Sequence, residues 1–147
     1  GPKIVHISCA DPYCPQMRQV AINSCKKLSI PVHEKGTVVV IEGPRFSTKA
    51  ESNWYQKSGF EVINMTQCPE VYLAKELNMC YVNISLITDY DAGLLGQDDI
   101  KPVDAKEVLE VFNKNVENVK ILVREMIKNF PNEKSCECEL TLSRAEF

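Results

Sequence analysis

The chain has 147 residues, of which 44% are hydrophobic and 25% charged, and its formal net charge is -3. This length suffices for one domain with a hydrophobic core. A slightly acidic balance without a lysine- or arginine-rich run excludes a nucleic-acid-binding surface, which needs a basic patch. No apolar stretch is long enough to span a bilayer, and the run after Lys3 is too short for a signal peptide, so we expect no membrane partner and a cytoplasmic location.

Apolar β-branched runs alternate with segments of helical periodicity along the chain. In chain order, the predicted elements are a strand at 3–8, a helix at 15–28, a strand at 36–42, a helix at 48–58, a strand at 61–64, a helix at 69–77, a strand at 79–88, a loop at 89–102, a helix at 104–129 and a polar tail from 131. Local signals set several bounds: Pro15 suits the first turn of its helix, Ser47 or Thr48 can cap the next, and Gly59 can close it. This order predicts an α/β fold with a mixed, largely parallel central sheet flanked by helices.

Seven cysteines are many for a chain of this size, and Cys136-Glu137-Cys138 is the most unusual local motif. Zinc usually takes two separated cysteine pairs or adds histidines, and neither His6 nor His33 adjoins such a pair. We therefore predict no metal site. Most other cysteines are expected to be buried apolar thiols, namely Cys9, Cys25 and Cys80.

Polar side chains follow three of the predicted strands. The segments are 42–47, 64–66 and 88–91, and in open α/β sheets ligands bind beyond such strand ends. Their side chains include the Phe46 ring, the Ser47 and Thr66 hydroxyls, and the Asp89 and Asp91 carboxylates. Such a set suits a flat, hydrogen-bonding ligand on which Phe46 can stack.

Asp89 and Asp91 are the most informative residues of the third segment. Two close carboxylates raise the affinity of one of them for a proton. A protonated aspartate can donate to a ring nitrogen, while an ionised one accepts from an exocyclic amine. An acidic turn that caps the loop or binds a cation accounts for the same spacing, so both interpretations stay open.

Read together, these segments resemble the purine nucleoside phosphorylase family, in its S-methyl-5'-thioadenosine phosphorylase branch. The resemblance covers roughly residues 3–128. The segments that match the family are residues 6–7, 12–15, 36–37, 41–47, 50–52, 62–66, 69–71, 73–76 and 88–91. It implies phosphorolysis, in which inorganic phosphate attacks the anomeric carbon of a nucleoside and the purine leaves, without a cofactor. The products would be adenine and 5-methylthioribose-1-phosphate.

The resemblance also implies a role for individual side chains. Asp89 would protonate purine N7 or share its proton, and Asp91 would accept from the 6-amino group or support Asp89. The other implied substrate contacts are Phe46 and Ser47 around the base, Met65 at the ribose, Thr66 at the ribose and the phosphate, and Thr88, His6, Val108 and Leu109 around the 5'-methylthio group.

Base preference follows from the same positions. Relatives that act on 6-oxopurines carry Asn where Asp89 stands and Glu where Ser47 stands. An amide can donate to a 6-oxo group, whereas an ionised carboxylate cannot. The resemblance therefore implies a preference for adenine. A broad-specificity purine nucleoside phosphorylase that accepts adenosine and inosine, and a non-catalytic binding or assembly fragment, remain alternatives.

The family's polypeptide is longer than this chain, and its N-terminal half brings a glycine-rich phosphate loop and an Arg-His pair. Residues 1–147 are accordingly expected to form the C-terminal portion of one phosphorylase domain, completed by a missing half or a second chain and inactive alone. The family implies a homotrimer or hexamer. The loop 92–101 is expected to cover the site, and a disulfide is expected within Cys136–Cys138 or between Cys14 and Cys80.

Overall fold

The computed structural model describes residues 4–94 and 104–145. The helices in these ranges are Pro15–Lys27 (α1), Lys49–Lys57 (α2), Gln67–Glu76 (α3) and Ala105–Lys128 (α4), and the strands are Val38–Val40 (β1) and Val62–Asn64 (β2). Short 3₁₀ helices lie at Ala92–Leu94 and Cys138–Leu140. The alternation of helices with a parallel sheet confirms the predicted α/β class.

β1 and β2 pair in parallel, with Val38 opposite Val62 and Val40 opposite Asn64. The ladder continues one residue beyond β1, where the Ile41 amide donates to the Asn64 carbonyl at 2.9 Å. Parallel strands connected through a helix end at the same edge of a sheet. The segments that follow β1 and β2 therefore start side by side.

The N-terminus of α2 carries a complete capping box. Thr48 is the N-cap, its hydroxyl accepts from the Glu51 amide, and the Glu51 carboxylate accepts from the Thr48 amide. This arrangement satisfies two backbone donors that a helix start would leave unpaired. Of the two caps that the sequence allows, Ser47 and Thr48, the structure selects Thr48. Gly59 follows the helix with φ of 79°, as a C-terminal glycine should.

The chain divides into two compact units. Unit 1 comprises Gly1–Val32, Thr66–Ile84 and Leu122–Phe147, and unit 2 comprises His33–Met65 and Ser85–Ile121. The core of unit 1 forms where Ala21 and Cys25 of α1 pack against Leu122 and Met126 of α4. An ion pair between Lys27 and Glu125, 2.6 Å long, lies beside this core. Unit 2 contains the sheet, α2 and the first part of α4.

Two predicted strands are absent from the described ranges. Residues 4–8 and 79–88 have no regular secondary structure. Their apolar, β-branched composition fits a strand, but a strand also requires a partner, and neither segment has a ladder partner in the part of the chain that the structure describes.

Smaller differences concern element ends. α3 starts two residues earlier than predicted, with a non-helical Cys68 before Pro69. The predicted loop contains the 3₁₀ helix at Ala92–Leu94, and its part from 95 to 102 lies outside the described residues. In the predicted polar tail, Cys136 and Ala145 are buried. No helix in the described ranges combines the length and apolar character needed to cross a membrane.

Gly59→Ala is expected to lower the free energy of unfolding by about 1 kcal/mol, because a side chain disfavours the left-handed backbone at this position. No atom lies within 4 Å of the added Cβ, so a steric clash would not explain the loss. Urea unfolding measures it. Gly36→Ala is the matched control, since Gly36 does not have a positive φ. Equal losses in the two variants would contradict the backbone explanation.

Candidate functional site

At the end of the sheet in unit 2, Gly43, which follows β1, lies against Met65, the residue after β2. A Cβ on Gly43 would lie 2.9 Å from the Met65 sulfur, a distance that real Cβ atoms do not adopt. Gly43 therefore permits the Met65 side chain to lie directly against the backbone of the β1 segment. Met65, the implied ribose contact, is held half-buried at this edge.

Arg45 and Glu51 clamp the turn between β1 and α2. The Arg45 guanidinium donates two hydrogen bonds to the Glu51 carboxylate, at 2.9 and 2.7 Å, and a third to the Phe46 carbonyl at 3.0 Å. The Thr48 amide and hydroxyl also donate to Glu51, at 2.8 and 2.9 Å. The Arg45 hydrogen bond, followed by those from Thr48, lowers the pKa of Glu51 to about 2. Residues 45–48 are thereby fixed around one ionised carboxylate.

Ser47 lies inside this clamped turn with its side chain buried. Its residue is only 9% exposed, and its hydroxyl oxygen has no hydrogen-bond partner among the described residues. The neighbouring Phe46 ring is 48% exposed. A buried hydroxyl without a partner costs about 1–3 kcal/mol, so its retention needs an explanation such as a ligand.

The acidic segment presents a second atom of this kind. The Asp91 Oδ2 atom is buried and has no hydrogen-bond partner in the described ranges, whereas Asp89 is exposed and accepts from the Thr88 hydroxyl at 2.6 Å. The Asp91 carbonyl accepts from the Leu94 amide at 3.0 Å, which starts the 3₁₀ helix at Ala92–Leu94. It is the backbone of Asp91, and not this carboxylate oxygen, that shapes the turn. Both interpretations of the pair, a binding site and an acidic capping turn, stay predictions.

The 3₁₀ helix at Ala92–Leu94 packs against α2. Asp91 immediately precedes this 3₁₀ helix, and Ser47 lies two residues before α2. The acidic segment and the clamped turn therefore each adjoin one of two elements of unit 2 that are in contact. The unit thus holds two unpaired buried oxygen atoms, an exposed carboxylate and a half-exposed aromatic ring. Such a set is suited to a planar ligand with both donors and acceptors.

The structure distributes the predicted site residues over both units. Unit 2 contains Phe46, Ser47, Met65, Thr88, Asp89, Asp91, Val108 and Leu109, and unit 1 contains His6 and Thr66. Val108 is half-buried on α4, while Leu109 is 57% exposed and His6 is exposed. Thr66 precedes α3, and its side chain does not cap that helix. The assigned roles of these residues stay predictions.

Of the two residues that position this turn, Glu51 was expected from the sequence as the partner of the helix cap, whereas the ion pair with Arg45 was not. The signal for Glu51 is the capping-box pattern Thr48-x-x-Glu51. The contact between Gly43 and Met65 had no local signal, because it arises from the pairing of β1 with β2.

The cysteines also differ from expectation. All seven are free thiols, so neither of the two expected disulfides is formed. Cys25 is buried as predicted, but Cys9 and Cys80 are only half-buried. Cys14, Cys80, Cys136 and Cys138 of unit 1 lie together, with all four sulfur atoms within 4.8 Å of one another. These residues could hold a metal ion, although the sequence predicts none.

Comparisons with known proteins agree on one family. Residues 1–128 match the family model described as the phosphorylase superfamily. The S-methyl-5'-thioadenosine phosphorylase of Pyrococcus horikoshii is 52% identical over 138 residues, covering 94% of this chain and 51% of that protein. The 6-oxopurine nucleoside phosphorylase of Pyrococcus furiosus is 39% identical over 142 residues, covering 97% and 52%. The chain spans about half the length of the curated relatives it matches.

A solved structure gives the same result. A double mutant of the adenosine/methylthioadenosine phosphorylase of Schistosoma mansoni, in complex with adenine, superposes with a TM-score of 0.88. It is 28% identical, and the match covers 99% of this chain and 57% of that one.

The clamp around Glu51 predicts a pH-dependent stability. Because the folded state lowers the pKa of Glu51 from 4.5 to about 2, its stabilisation is complete above pH 4.5 and is lost as the pH falls toward 2. Glu51→Gln should therefore be less stable than the wild type at neutral pH, and the difference should narrow below about pH 4.5. Urea unfolding over this range measures it, with Glu76→Gln on α3 as control. A Glu51→Gln difference that stays constant down to about pH 3 would contradict the clamp.

Proposed function

The chain belongs to the phosphorylase superfamily, and from this premise we propose that it supplies the purine- and ribose-binding portion of an S-methyl-5'-thioadenosine phosphorylase. The observation that carries the proposal is the pair of buried, unpaired oxygen atoms in unit 2, Ser47 Oγ and Asp91 Oδ2. A relative of that name is 52% identical to the chain, which supports the same assignment.

Adenine offers hydrogen-bonding groups that match these two atoms. Its exocyclic 6-amino group can donate to Asp91 Oδ2, and its ring nitrogens can accept from the Ser47 hydroxyl. The half-exposed Phe46 ring next to Ser47 provides an apolar face for the base. Binding would thus satisfy two buried polar atoms that otherwise remain unpaired, and it would leave Asp89 free to act on N7.

Phosphorolysis is easier when the departing purine is protonated. Attack of a phosphate oxygen on the anomeric carbon forms the new C–O bond, while the C–N9 bond breaks and its electron pair stays on the purine. In this proposal Asp89, in its protonated form, donates a proton to N7 as the negative charge develops, and the resulting carboxylate is reprotonated from water. The Thr88 hydroxyl, 2.6 Å from Asp89 Oδ1, orients the carboxyl group.

The remaining predicted contacts would bind the ribose and the 5'-methylthio group of the nucleoside. Met65, held against Gly43, would pack on the ribose, and Thr66, the next residue, would reach the ribose and the phosphate. Val108 and Leu109 on α4, with Thr88 and His6, would surround the 5'-methylthio group, for which apolar side chains are better suited than for a hydroxyl. Inorganic phosphate is the co-substrate, and the proposed reaction needs no cofactor.

A second candidate is a phosphorylase that also accepts 6-oxopurines. It is favoured by the 39% identity to the 6-oxopurine nucleoside phosphorylase of Pyrococcus furiosus. The Asp91 carboxylate argues against it, because in our proposal it accepts from a 6-amino group, and an ionised carboxylate cannot donate to a 6-oxo group.

The proposed enzyme needs more polypeptide than this chain. The two paired strands have three residues each, which is marginal for a sheet that stands alone. α4 also exposes several large apolar residues, namely Leu109, Val111, Phe112, Ile121, Val123 and Ile127. In our proposal an N-terminal half or a second chain covers this surface and brings the groups that clamp phosphate, and the complete protein assembles as a trimer or hexamer. The isolated chain should release no adenine.

Asp89→Asn in the full-length protein tests the proposal. We expect kcat/KM for methylthioadenosine to fall by about 10²–10⁴-fold, because the amide cannot deliver a proton to N7. The activity on inosine relative to methylthioadenosine should rise, since an amide can donate to a 6-oxo group. Steady-state rates of phosphate-dependent base release on both substrates measure the two effects.

Asp11→Asn is the matched control, because Asp11 is an exposed aspartate of the other unit. It should leave both rates unchanged. An Asp89→Asn enzyme with unchanged rate and unchanged preference would refute the assignment of Asp89, and a wild-type protein that prefers inosine would favour the second candidate.

A further inference from the structure

Four cysteines of unit 1 form a cluster that the proposed reaction does not use. This thiol cluster consists of Cys14, Cys80, Cys136 and Cys138, whose sulfur atoms all lie within 4.8 Å of one another. The sulfur atoms of Cys80 and Cys136 are 3.5 Å apart. In a tetrahedral zinc site with Zn–S bonds of about 2.3 Å, the sulfur atoms are about 3.8 Å apart. The cluster therefore has nearly the dimensions of such a site before any ion is added.

We propose that the thiol cluster binds a structural Zn²⁺ ion through four thiolates. Four protein ligands fill a tetrahedral coordination sphere and leave no position for water or substrate, so this site would stabilise the fold rather than take part in catalysis. The sequence argued against zinc because no histidine adjoins the Cys136-x-Cys138 pair. A site with four cysteine ligands needs no histidine. Cys14 and Cys80 supply the second pair from distant parts of the chain.

Hydrogen bonds outside the cluster hold its ligand-bearing segments together. The Cys14 amide donates to the Tyr81 carbonyl at 2.8 Å, which fixes the start of α1 next to Cys80. The Gln16 side chain donates to the Glu133 carbonyl at 2.9 Å and accepts from the Ser135 amide at 3.1 Å. It thereby anchors the residues just before Cys136.

A further hydrogen bond holds the residues that follow Cys138. Asn78, which follows the C-cap of α3 and has φ of 55°, accepts from the Leu142 amide at 3.0 Å through its side-chain oxygen. The segments of Cys80 and Cys138 are thus tied together on both sides of the cluster. The ligands are held in place by the fold, which lowers the entropy cost of binding an ion.

A backbone donor and a nearby ammonium group accompany the thiol cluster. The Met17 amide donates to Cys14 Sγ at 3.5 Å at the N-terminus of α1. Backbone donors of this kind stabilise and orient metal-bound sulfur. Lys134 is close enough to interact electrostatically with Cys80 and Cys136, so its ammonium would offset part of the negative charge of a zinc tetrathiolate.

The mutual closeness of all four sulfur atoms favours one ion over two disulfides. Two disulfides require only two close pairs, whereas a single ion requires every ligand to approach every other. Cys14 and Cys136 are buried, and Cys80 and Cys138 are half-buried, which shields the site while leaving an entry path for the metal.

Metal analysis of the full-length protein tests the proposal directly. Protein purified under reducing conditions without chelator should contain about one Zn²⁺ per chain, and Co²⁺ added to the apoprotein should give the intense visible bands of a tetrahedral thiolate site. Removing the metal should lower Tm by about 5–10 °C. Neither readout depends on phosphorylase activity, so a failed function assignment leaves this test intact. Protein that takes up neither metal, with its cysteines either free or paired in disulfides by mass spectrometry, would overturn the proposal.

A pair of variants assigns the ligands. Cys138→Ser should weaken Zn²⁺ affinity by at least about 100-fold, because one of four thiolates is lost. Cys68→Ser, which alters an exposed cysteine outside the cluster, should bind Zn²⁺ like the wild type. Equal affinities in the two variants would overturn the assignment. Should Cys138→Ser fail to fold, the Co²⁺ spectrum of the wild type decides, since a spectrum without thiolate bands contradicts the site.

Discussion

The parallel pairing of β1 with β2 is the constraint on which the candidate site depends. Its register places Val40 opposite Asn64, and the added bond from Ile41 to Asn64 extends it to the edge of the sheet. A slip of one residue would turn every side chain to the other face. Met65 would then leave its position against Gly43, and the turn after β1 would start from a different place.

The turn after β1 contains Ser47, a buried residue of the candidate site. Arg45, Glu51 and Thr48 form a compact charged network around the start of α2. With the backbone held by this network, the Ser47 hydroxyl remains buried without a partner. The protein carries a local cost of about 1–3 kcal/mol for such an atom, which a ligand can offset on binding. Departures of this kind from full hydrogen bonding are typical of functional sites.

How far the sequence predicted the structure depended on whether the signal was local. The bounds of α1 and the cap of α2 followed from Pro15, Thr48 and Glu51, which act on neighbouring residues. The strands expected at 3–8 and 79–88 could not be predicted in this way, because composition reveals no pairing partner. The thiol cluster was missed for the same reason. Its four cysteines come from three distant parts of the chain. Cys136 and Cys138, which are close in sequence, therefore indicated only two of the four ligands.

Diffraction from crystals of the full-length protein with adenine is the most direct test of the central claim, that unit 2 holds the purine. We expect the 6-amino group to lie within hydrogen-bonding distance of Asp91 Oδ2 and the Ser47 hydroxyl to contact a ring nitrogen. N7 should face Asp89. Adenine bound elsewhere, with Ser47 Oγ and Asp91 Oδ2 still unpaired, would rule out the proposed purine site in unit 2.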